Sequence, residues 1–252
     1  MSADSFFHFS SSEPFRFLSA SHLIAVGILV CLILILFVSR SLIQRQPYLK
    51  KMIRYTLLTL LILSEISLEL WYVQQGIWNP ARHLPLELCS ITLLLSIIML
   101  ITRSRALYSI LFFAGIVGAL LAILTPNLGY GFPHFRFIQF FMAHYAIILA
   151  ALYMTWIEGY RPQWRSIGYT MLALNVIALA VGLINYLIGS NYMFLMRKPS
   201  TPSVLDWFGP HPTYLIVEEL FALLIFTSMY VIFFYLPDLR RRKTASRQQK
   251  EA

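Results

Sequence analysis

Charged residues are scarce in this sequence of 252 residues, of which 12% are charged and 58% are hydrophobic. Soluble domains usually have about a quarter of their residues charged. The shortage of charge therefore excludes an ordinary soluble protein, and no stretch of ordinary composition is left for a separate soluble domain. We predict an all-α, polytopic membrane protein.

Cysteines and ligand motifs are also few. The two cysteines, Cys31 and Cys89, fall in different apolar segments, so a disulfide framework is not expected. The N-terminus lacks the basic start of a cleavable signal peptide. The sequence has no Gly-rich phosphate loop and no HxxxH or HExxH spacing. We expect no cofactor and no helical metal site, although a mixed His/Glu site drawn from several helices stays open.

Long apolar stretches are what the sequence has in abundance. Seven are near the length of about 20 residues that a helix needs to span a bilayer, near 20–39, 53–73, 84–101, 106–124, 137–157, 167–188 and 213–236. We predict one seven-helix membrane domain over 20–236. It is preceded by an outer interfacial segment, 1–19, and followed by a basic cytoplasmic tail, 237–252.

Lys and Arg residues are distributed unequally between the two sides of these spans. Fifteen fall on the side of the first, third and fifth loops and the C-terminal tail, and five on the other side. The positive-inside rule then places the N-terminus outside and the C-terminus in the cytoplasm, in a cell membrane. The net charge of +9 therefore indicates topology and contact of the tail with anionic lipid rather than nucleic-acid binding. The oligomeric state is left open.

A layer of polar residues falls in the outer half of the predicted spans. Its members are Glu65, Glu69, Glu87, Asn185, Glu218 and Glu219. If the layer belongs to an active site, we expect one of Glu65, Glu69 or Asn185 to orient its histidine. Carboxylates at this depth cost at least about 2.5 kcal/mol each unless they are paired or hydrated. A structural network holding the helices together and a functional site both remain open.

The stretch Phe132–His144 (FPHFRFIQFFMAH) carries the most suggestive of these polar groups. His144 lies about two turns into its helix, at the same predicted depth as Cys89 near the start of another. The Cys89 thiol would feel the positive end of the helix dipole, which favours a thiolate. A base beside a thiol is the minimum for acyl transfer through a covalent intermediate. Matching depth does not show that the two helices face each other, and a lone cysteine is usually a packing residue.

Four ordered blocks give the chain a family resemblance: LPLELC, LTPNLGYGFPHFRFIQFFMAH, NYMFLMRKP and LDWFGPHPTYL. Together they resemble the YwaF-type family of bacterial seven-span membrane proteins, and this resemblance implies a location in the bacterial plasma membrane. A remoter similarity, in LPLELC and in the helix with His144, is to the transmembrane protein 164 phospholipid acyltransferases. That similarity implies Cys89 as the acyl-accepting nucleophile and His144 as its general base. The family's block often has histidine where this chain has Glu87, which leaves the part played by Glu87 open.

Two functions follow as hypotheses. The first is a membrane-embedded acyltransferase or lipid hydrolase that acts on phospholipid esters in the outer leaflet. Its headgroup-binding residues would be Arg136, Lys198, Asn191 and Tyr192. The second is an outward-facing transporter, or a membrane protein that binds a small molecule or cation through its intramembrane Glu and His residues.

Overall fold

The computed structural model describes residues 6–9, 14–199, 204–241 and 244. Parts of the predicted N-terminal segment and most of the basic tail, residues 242–243 and 245–252, lie outside the described residues. Every regular element in the described part of the chain is helical. The all-α prediction is thereby confirmed at the level of secondary structure.

The helices follow the apolar stretches of the sequence. We label the long ones α1 Ala20–Val38, α2 Pro47–Gln74, α3 Leu88–Thr102, α4 Arg105–Leu124, α5 Phe135–Trp156, α6 Trp164–Ile188 and α7 Thr213–Tyr230. A short helix, Arg40–Arg45, connects α1 to α2. A π-helical turn at Leu111–Gly115 lies within α4, and another at Val231–Tyr235 extends α7.

Six of these helices are long and apolar enough to cross a membrane, because α7 with its extension runs over Thr213–Arg241. The exception is α3, an apolar helix of 15 residues. Our prediction starts this helix at 84, whereas it begins at Leu88, so Pro85 lies before the helix and not in its first turn. The LPLE segment, with Pro85 in it, is non-helical instead, and Glu87 is the N-cap residue. Cys89 is therefore the second residue of α3.

A tight turn joins α3 to α4. Arg103 ends α3 in a left-handed conformation, with φ of 54° and ψ of 36°. Ser104 then caps α4 by accepting a hydrogen bond from the Leu107 backbone N–H. The turn sets α3 and α4 side by side as an antiparallel pair.

The centre of the bundle is α5, which packs against α1, α2, α3 and α4. Of the residues in an 18-residue apolar stretch of α5, 67% are buried, compared with 11% in the corresponding stretches of α6 and of α7 with its extension. Small residues such as Ala146, Ala150 and Ala151 are buried on it, and small side chains let neighbouring helix backbones come close inside membranes. The polar groups on α5 are thus enclosed by protein, whereas α6 and α7 form the exposed side.

The bundle has two chemically different ends. We call one the loop end, formed by segments 75–87, 125–134, 189–199 and 204–212, and the other the basic end, formed by 39–46, 102–105 and 157–163. Tyr192 joins two loops of the loop end, because its hydroxyl donates to the Pro80 carbonyl (2.7 Å) and accepts from the Leu84 N–H (2.8 Å). At the basic end, the Gln44 side chain reaches the Trp156 carbonyl (2.6 Å).

Candidate functional site

Cys89 lies on the buried face of α3. Thr92 and Ser96, three and seven residues further on, share that face and are both buried. Their hydroxyls bond back to their own helix, Thr92 to the Cys89 carbonyl (3.0 Å) and Ser96 to the Thr92 carbonyl (2.7 Å). Neither hydroxyl is bonded to a side chain of another helix, and Cys89 is a half-buried free thiol.

His144 has one ring nitrogen in use and one free. Nδ1 lies 2.7 Å from the Phe140 carbonyl oxygen. A carbonyl only accepts hydrogen bonds, so Nδ1 carries the proton and the neutral ring presents a lone pair at Nε2. Nε2 is buried and has no hydrogen-bond partner. Buried polar atoms are normally paired, so an unpartnered Nε2 is an exception. Its lone pair is free to accept a proton.

Two glycines on α4 show the level of Cys89 relative to His144. A Cβ placed on Gly118 would lie 3.6 Å from Leu88 Cδ2, and one on Gly115 would lie 3.5 Å from Ile147 Cγ2. Gly118 is three residues, about 4.5 Å, further along α4 than Gly115. The helix α5 runs the opposite way, so the residue level with Gly118 is three before Ile147. That residue is His144, level with the start of α3.

Cys89 and His144 thus lie at the same level on helices that pack against each other and against α4. No hydrogen bond joins the thiol to the ring in this structure, in which both residues are described. Hydrogen bonds between catalytic groups are often long without substrate and tighten when it binds. Residue counting thus places a half-buried thiol and a buried imidazole nitrogen at about the same level of the bundle.

Arg136 and Gln139 link α5 to α2 one to two turns nearer the loop end. The Arg136 guanidinium donates to Gln139 Oε1, and Gln139 Nε2 donates to the Ser64 carbonyl (3.1 Å). Arg136 also lies over the Tyr72 ring, 5.6 Å from its centroid, an arrangement that attracts a cation to the aromatic face. The cation is held beside α2 and half-buried.

Sequence reasoning did not find Ser64 or Tyr72. The Ser64 hydroxyl is buried and has no hydrogen-bond partner, like His144 Nε2. Its position next to Glu65 was the available signal, but a serine in an apolar run is usually packed. Tyr72 continues the i, i+4, i+7 spacing of Glu65 and Glu69, so helical periodicity was the signal for it.

The two predicted glutamates of α2 have different surroundings. Glu69 accepts a hydrogen bond from the Trp78 indole N–H (2.9 Å). Glu65 lies within electrostatic reach of both Glu69 and Arg136. The structure therefore brings Glu65, Glu69 and Arg136 into one charged group at the loop-end side of α2 and α5.

Glu87 and Asn185 hold the loop that follows α6. A Glu87 carboxylate oxygen accepts from the Met193 backbone N–H (3.0 Å). Asn185 is buried, accepts from the Ser190 hydroxyl (2.6 Å) and the Tyr192 N–H (2.8 Å), and donates to the Tyr192 carbonyl (2.9 Å). All hydrogen bonds of the Asn185 amide go to this loop and none to His144.

The three headgroup candidates in the 189–199 segment already have contacts with other residues of the protein. Asn191 Oδ1 accepts from the Met196 and Arg197 N–H groups, each at 3.0 Å. Tyr192 is buried, with its hydroxyl joined to the 75–87 segment. Lys198 lies 4.0 Å from Asp206 and over the Tyr214 ring. Of the four predicted headgroup residues, Arg136 is the one placed on the same helix as His144.

Glu218 and Glu219 lie on the exposed side of the bundle. Glu219 accepts from the Asn175 amide at both carboxylate oxygens, each at 3.1 Å, which joins α7 to α6. Glu218 is exposed. The predicted polar layer is therefore divided between a group around α2 and α5 and a separate pair on α6 and α7.

The other described histidines near the loop end have structural hydrogen bonds. His134 caps α5, since its Nδ1 accepts from the Arg136 N–H (3.1 Å), and it stacks on Tyr130 at 4.3 Å. His83 accepts from the Asn79 N–H (2.9 Å) and stacks on Tyr72 at 4.1 Å. Burial lowers the pKa of both rings, which favours the neutral form that can accept these bonds.

The comparison with known families now bears on this arrangement. The TMEM164 family profile matches residues 17–230 of the chain. The chain belongs to the TMEM164 family. The match includes all of α1 to α7, with both Cys89 and His144, and ends before the π-helical extension of α7. No curated protein and no solved structure gave a significant match. Membership in the TMEM164 family agrees with a membrane protein of several apolar helices.

Proposed function

We propose that this TMEM164-family protein is a membrane-embedded acyltransferase or lipid hydrolase in which Cys89 is the nucleophile and His144 the general base. The observation that carries the proposal is the buried, unpartnered Nε2 of His144 at the level of Cys89. The Phe140 carbonyl holds the proton on Nδ1, so Nε2 is the nitrogen that accepts a proton.

The chemistry follows from these two groups. His144 Nε2 takes the Cys89 thiol proton, and the sulfur attacks the carbonyl carbon of a phospholipid ester. When the carbon–oxygen bond breaks, the leaving lysophospholipid oxygen takes the proton from His144, and a thioester remains on Cys89. An incoming lysophospholipid hydroxyl or a water then gives its proton to Nε2 and attacks the thioester. The thiol is restored when the departing sulfur recovers that proton.

Arg136 is the residue proposed to hold the lipid phosphate. Guanidinium groups suit phosphate because they can donate two parallel hydrogen bonds. Arg136 lies about two turns nearer the loop end than His144, an offset of about 12 Å along α5. That order matches a glycerophospholipid, whose ester groups lie just beneath its phosphate. Lys198 is a further candidate nearer the headgroup.

The proposal includes a membrane orientation. The helices α1 to α7 would cross the bilayer seven times with the loop end outside, so the reaction would take place in the outer leaflet. The excess of Lys and Arg at the basic end supports this orientation. The YwaF-type assignment and the bacterial plasma membrane belong to the same proposal.

The alternative of an outward-facing transporter has less support. Its outward cavity would be lined by Glu65, Glu69, His144 and Glu218. Glu69 accepts a hydrogen bond from the Trp78 indole N–H (2.9 Å), which is a structural use of a carboxylate, and Glu218 lies on the exposed side of the bundle.

The test is acyl transfer by the purified full-length protein in phospholipid vesicles that also contain a lysophospholipid acceptor. Mass spectrometry would follow both the lipids and the acyl adduct on Cys89. We expect Cys89→Ala to abolish the adduct and turnover, and His144→Gln to lower turnover by about 10²–10⁴-fold, the usual contribution of a general base. The matched control is Cys31→Ala, which removes an exposed thiol on α1.

Unchanged turnover in Cys89→Ala, in protein that keeps the wild-type unfolding temperature, would refute the Cys nucleophile. A hydroxylamine-sensitive adduct that forms in wild type and in Cys31→Ala but not in Cys89→Ala would support it. Release of free fatty acid without the acceptor would identify hydrolysis, whereas acyl transfer to the acceptor alone would identify a transferase.

A further inference from the structure

A second polar site lies at the basic end, remote from Cys89 and His144. It is a pocket of about 150 Å³ between the start of α2, the α3–α4 turn and the end of α5. The charged and hydroxyl-bearing side chains that line the pocket are Lys50, Lys51, Arg54, Arg103, Tyr153 and Glu158.

One anchored carboxylate organises this pocket. Glu158 Oε2 pairs with Lys50 Nζ at 3.0 Å, and Glu158 Oε1 lies 2.9 Å from the Tyr153 hydroxyl. Tyr153 is fully buried, and its hydroxyl also lies 3.0 Å from the Lys50 carbonyl. The wall formed by Glu158, Lys50 and Tyr153 is therefore fixed by hydrogen bonds before any ligand arrives.

The remaining cations are in excess over this carboxylate. Four cationic side chains and one carboxylate line the pocket, which leaves a net charge of +3. Lys51 and Arg103 are exposed, and no ion pair is formed by either side chain among the described residues. Arg54 lies beside the Tyr55 ring and hydroxyl, so it keeps its charge uncompensated by a carboxylate. Three like charges around one cavity favour an anion between them.

We infer that this pocket binds a phosphate group, supplied by the headgroup of an anionic phospholipid. Its position supports a lipid source, because α2 begins at Pro47 and α3 ends at Thr102, where apolar helices give way to the polar chain. Basic pockets between membrane helices on the cytoplasmic side are suited to anionic headgroups. None of the described lining residues belongs to the C-terminal tail. The inference uses the proposed membrane orientation but not the chemistry of Cys89 and His144.

The experiment measures binding of dioctanoyl phosphatidic acid to the full-length protein in detergent by native mass spectrometry. Dioctanoyl phosphatidylcholine and inorganic phosphate are the comparison ligands. We expect phosphatidic acid to bind more tightly than phosphatidylcholine. The double variant Lys51→Gln/Arg103→Gln should weaken that binding about tenfold or more, since each cation near an anionic lipid contributes on the order of 1 kcal/mol.

The control double variant is Arg45→Gln/Arg105→Gln. It removes the same charge from exposed residues of the same end that do not line the pocket, and it should change binding less than twofold.

A second pair of variants tests whether removing a negative charge from the pocket strengthens binding. Glu158→Gln should tighten phosphatidic acid binding, because it removes the carboxylate and frees Lys50. Asp238→Asn, which removes a carboxylate paired with Arg161 outside the pocket, should have little effect.

The outcomes separate the sources of the phosphate. Strong binding of phosphatidic acid with little effect of inorganic phosphate supports a lipid headgroup. Equal competition by inorganic phosphate would support the same pocket but a soluble phosphate ligand. Equal loss of binding in the pocket and control variants, or no preference for phosphatidic acid over phosphatidylcholine, would overturn the inference. Unfolding temperatures of the unliganded variants establish that each is folded.

Discussion

At the scale of single residues, the decisive feature is which nitrogen of His144 is free. The sequence predicts a histidine at the depth of Cys89, but the state of its ring depends on one contact in the helix. The carbonyl of Phe140, four residues earlier, accepts a hydrogen bond from Nδ1. Nε2 is left without a partner. Such an i−4 contact depends on the side-chain rotamer, which the sequence does not specify.

Arg136 carries the first residue-scale prediction. If it binds the lipid phosphate, Arg136→Gln should raise KM for the phospholipid about tenfold or more, as expected for losing a hydrogen bond to a charged group. The rate constant of Cys89 acylation at saturating lipid should change little. Vesicle kinetics with varied phospholipid content would measure both quantities.

The control is Arg82→Gln, which removes an exposed cation at the same end of the bundle and should leave KM unchanged. Arg136→Lys should lie between wild type and Arg136→Gln, because it keeps the charge but loses the paired donors. An unaltered KM in Arg136→Gln would show that Arg136 does not bind the lipid phosphate and has only a structural role, through its contacts with Gln139 and Tyr72.

At the scale of helices, the contact between α3 and α4 sets the position of the nucleophile. Leu88 begins α3 and packs over Gly118, where a Cβ would meet Leu88 Cδ2 at 3.6 Å. That spacing is ordinary van der Waals contact, so a methyl group fits and a larger side chain does not. The short helix α3 has only 15 residues to hold Cys89 in place, so its first turn depends on this support.

We therefore expect Gly118→Ala to keep near wild-type acyl transfer and Gly118→Leu to lower it at least about tenfold. The added isobutyl group would displace Leu88 and with it Cys89, and small misplacements of a reacting group reduce rates strongly. Acyl-transfer rates of purified variants would measure the effect. The control is Gly27→Leu on α1, where a Cβ meets nothing within 4 Å. Equal activity in Gly118→Leu and Gly27→Leu would contradict this role for the contact.

The start of α3 also shows the limit of reading helices from apolar runs. Leu84 and Leu86 extend the hydrophobic pattern beyond the helix, so hydropathy predicts a start at 84. The backbone instead turns through Pro85 and places Glu87 outside the helix, with its carboxylate bound to the Met193 N–H. That partner is 106 residues away along the chain, and a local pattern has no information about it.

At the scale of the whole molecule, the sequence predicts which residues share an end of the bundle but not which share a side. Alternating apolar stretches place Glu65, Glu87, His144, Asn185 and Glu219 in one layer. Depth along a helix follows from counting residues, whereas lateral position follows from packing. Packing puts Glu219 with Asn175 on α6 and α7 and encloses His144 among the central helices.

The two ends of the molecule lead to a prediction about orientation. With native thiols removed by Cys31→Ala and Cys89→Ala, a single cysteine at Arg82→Cys lies in the loop end and one at Arg45→Cys in the basic end. Both positions are exposed, so their reactivity depends on which side of the membrane they occupy. In intact cells, a membrane-impermeant maleimide should label Arg82→Cys and leave Arg45→Cys unlabelled, because cations are retained on the cytoplasmic side. After membrane permeabilisation both should react.

Labelling of Arg45→Cys alone in intact cells would show that the protein has the opposite orientation. Cys89 and His144 would then lie in the inner-leaflet half of the membrane, and the phosphate pocket would face the outside. Such a result would leave the thiol–imidazole chemistry intact while reassigning the leaflet that supplies its lipid.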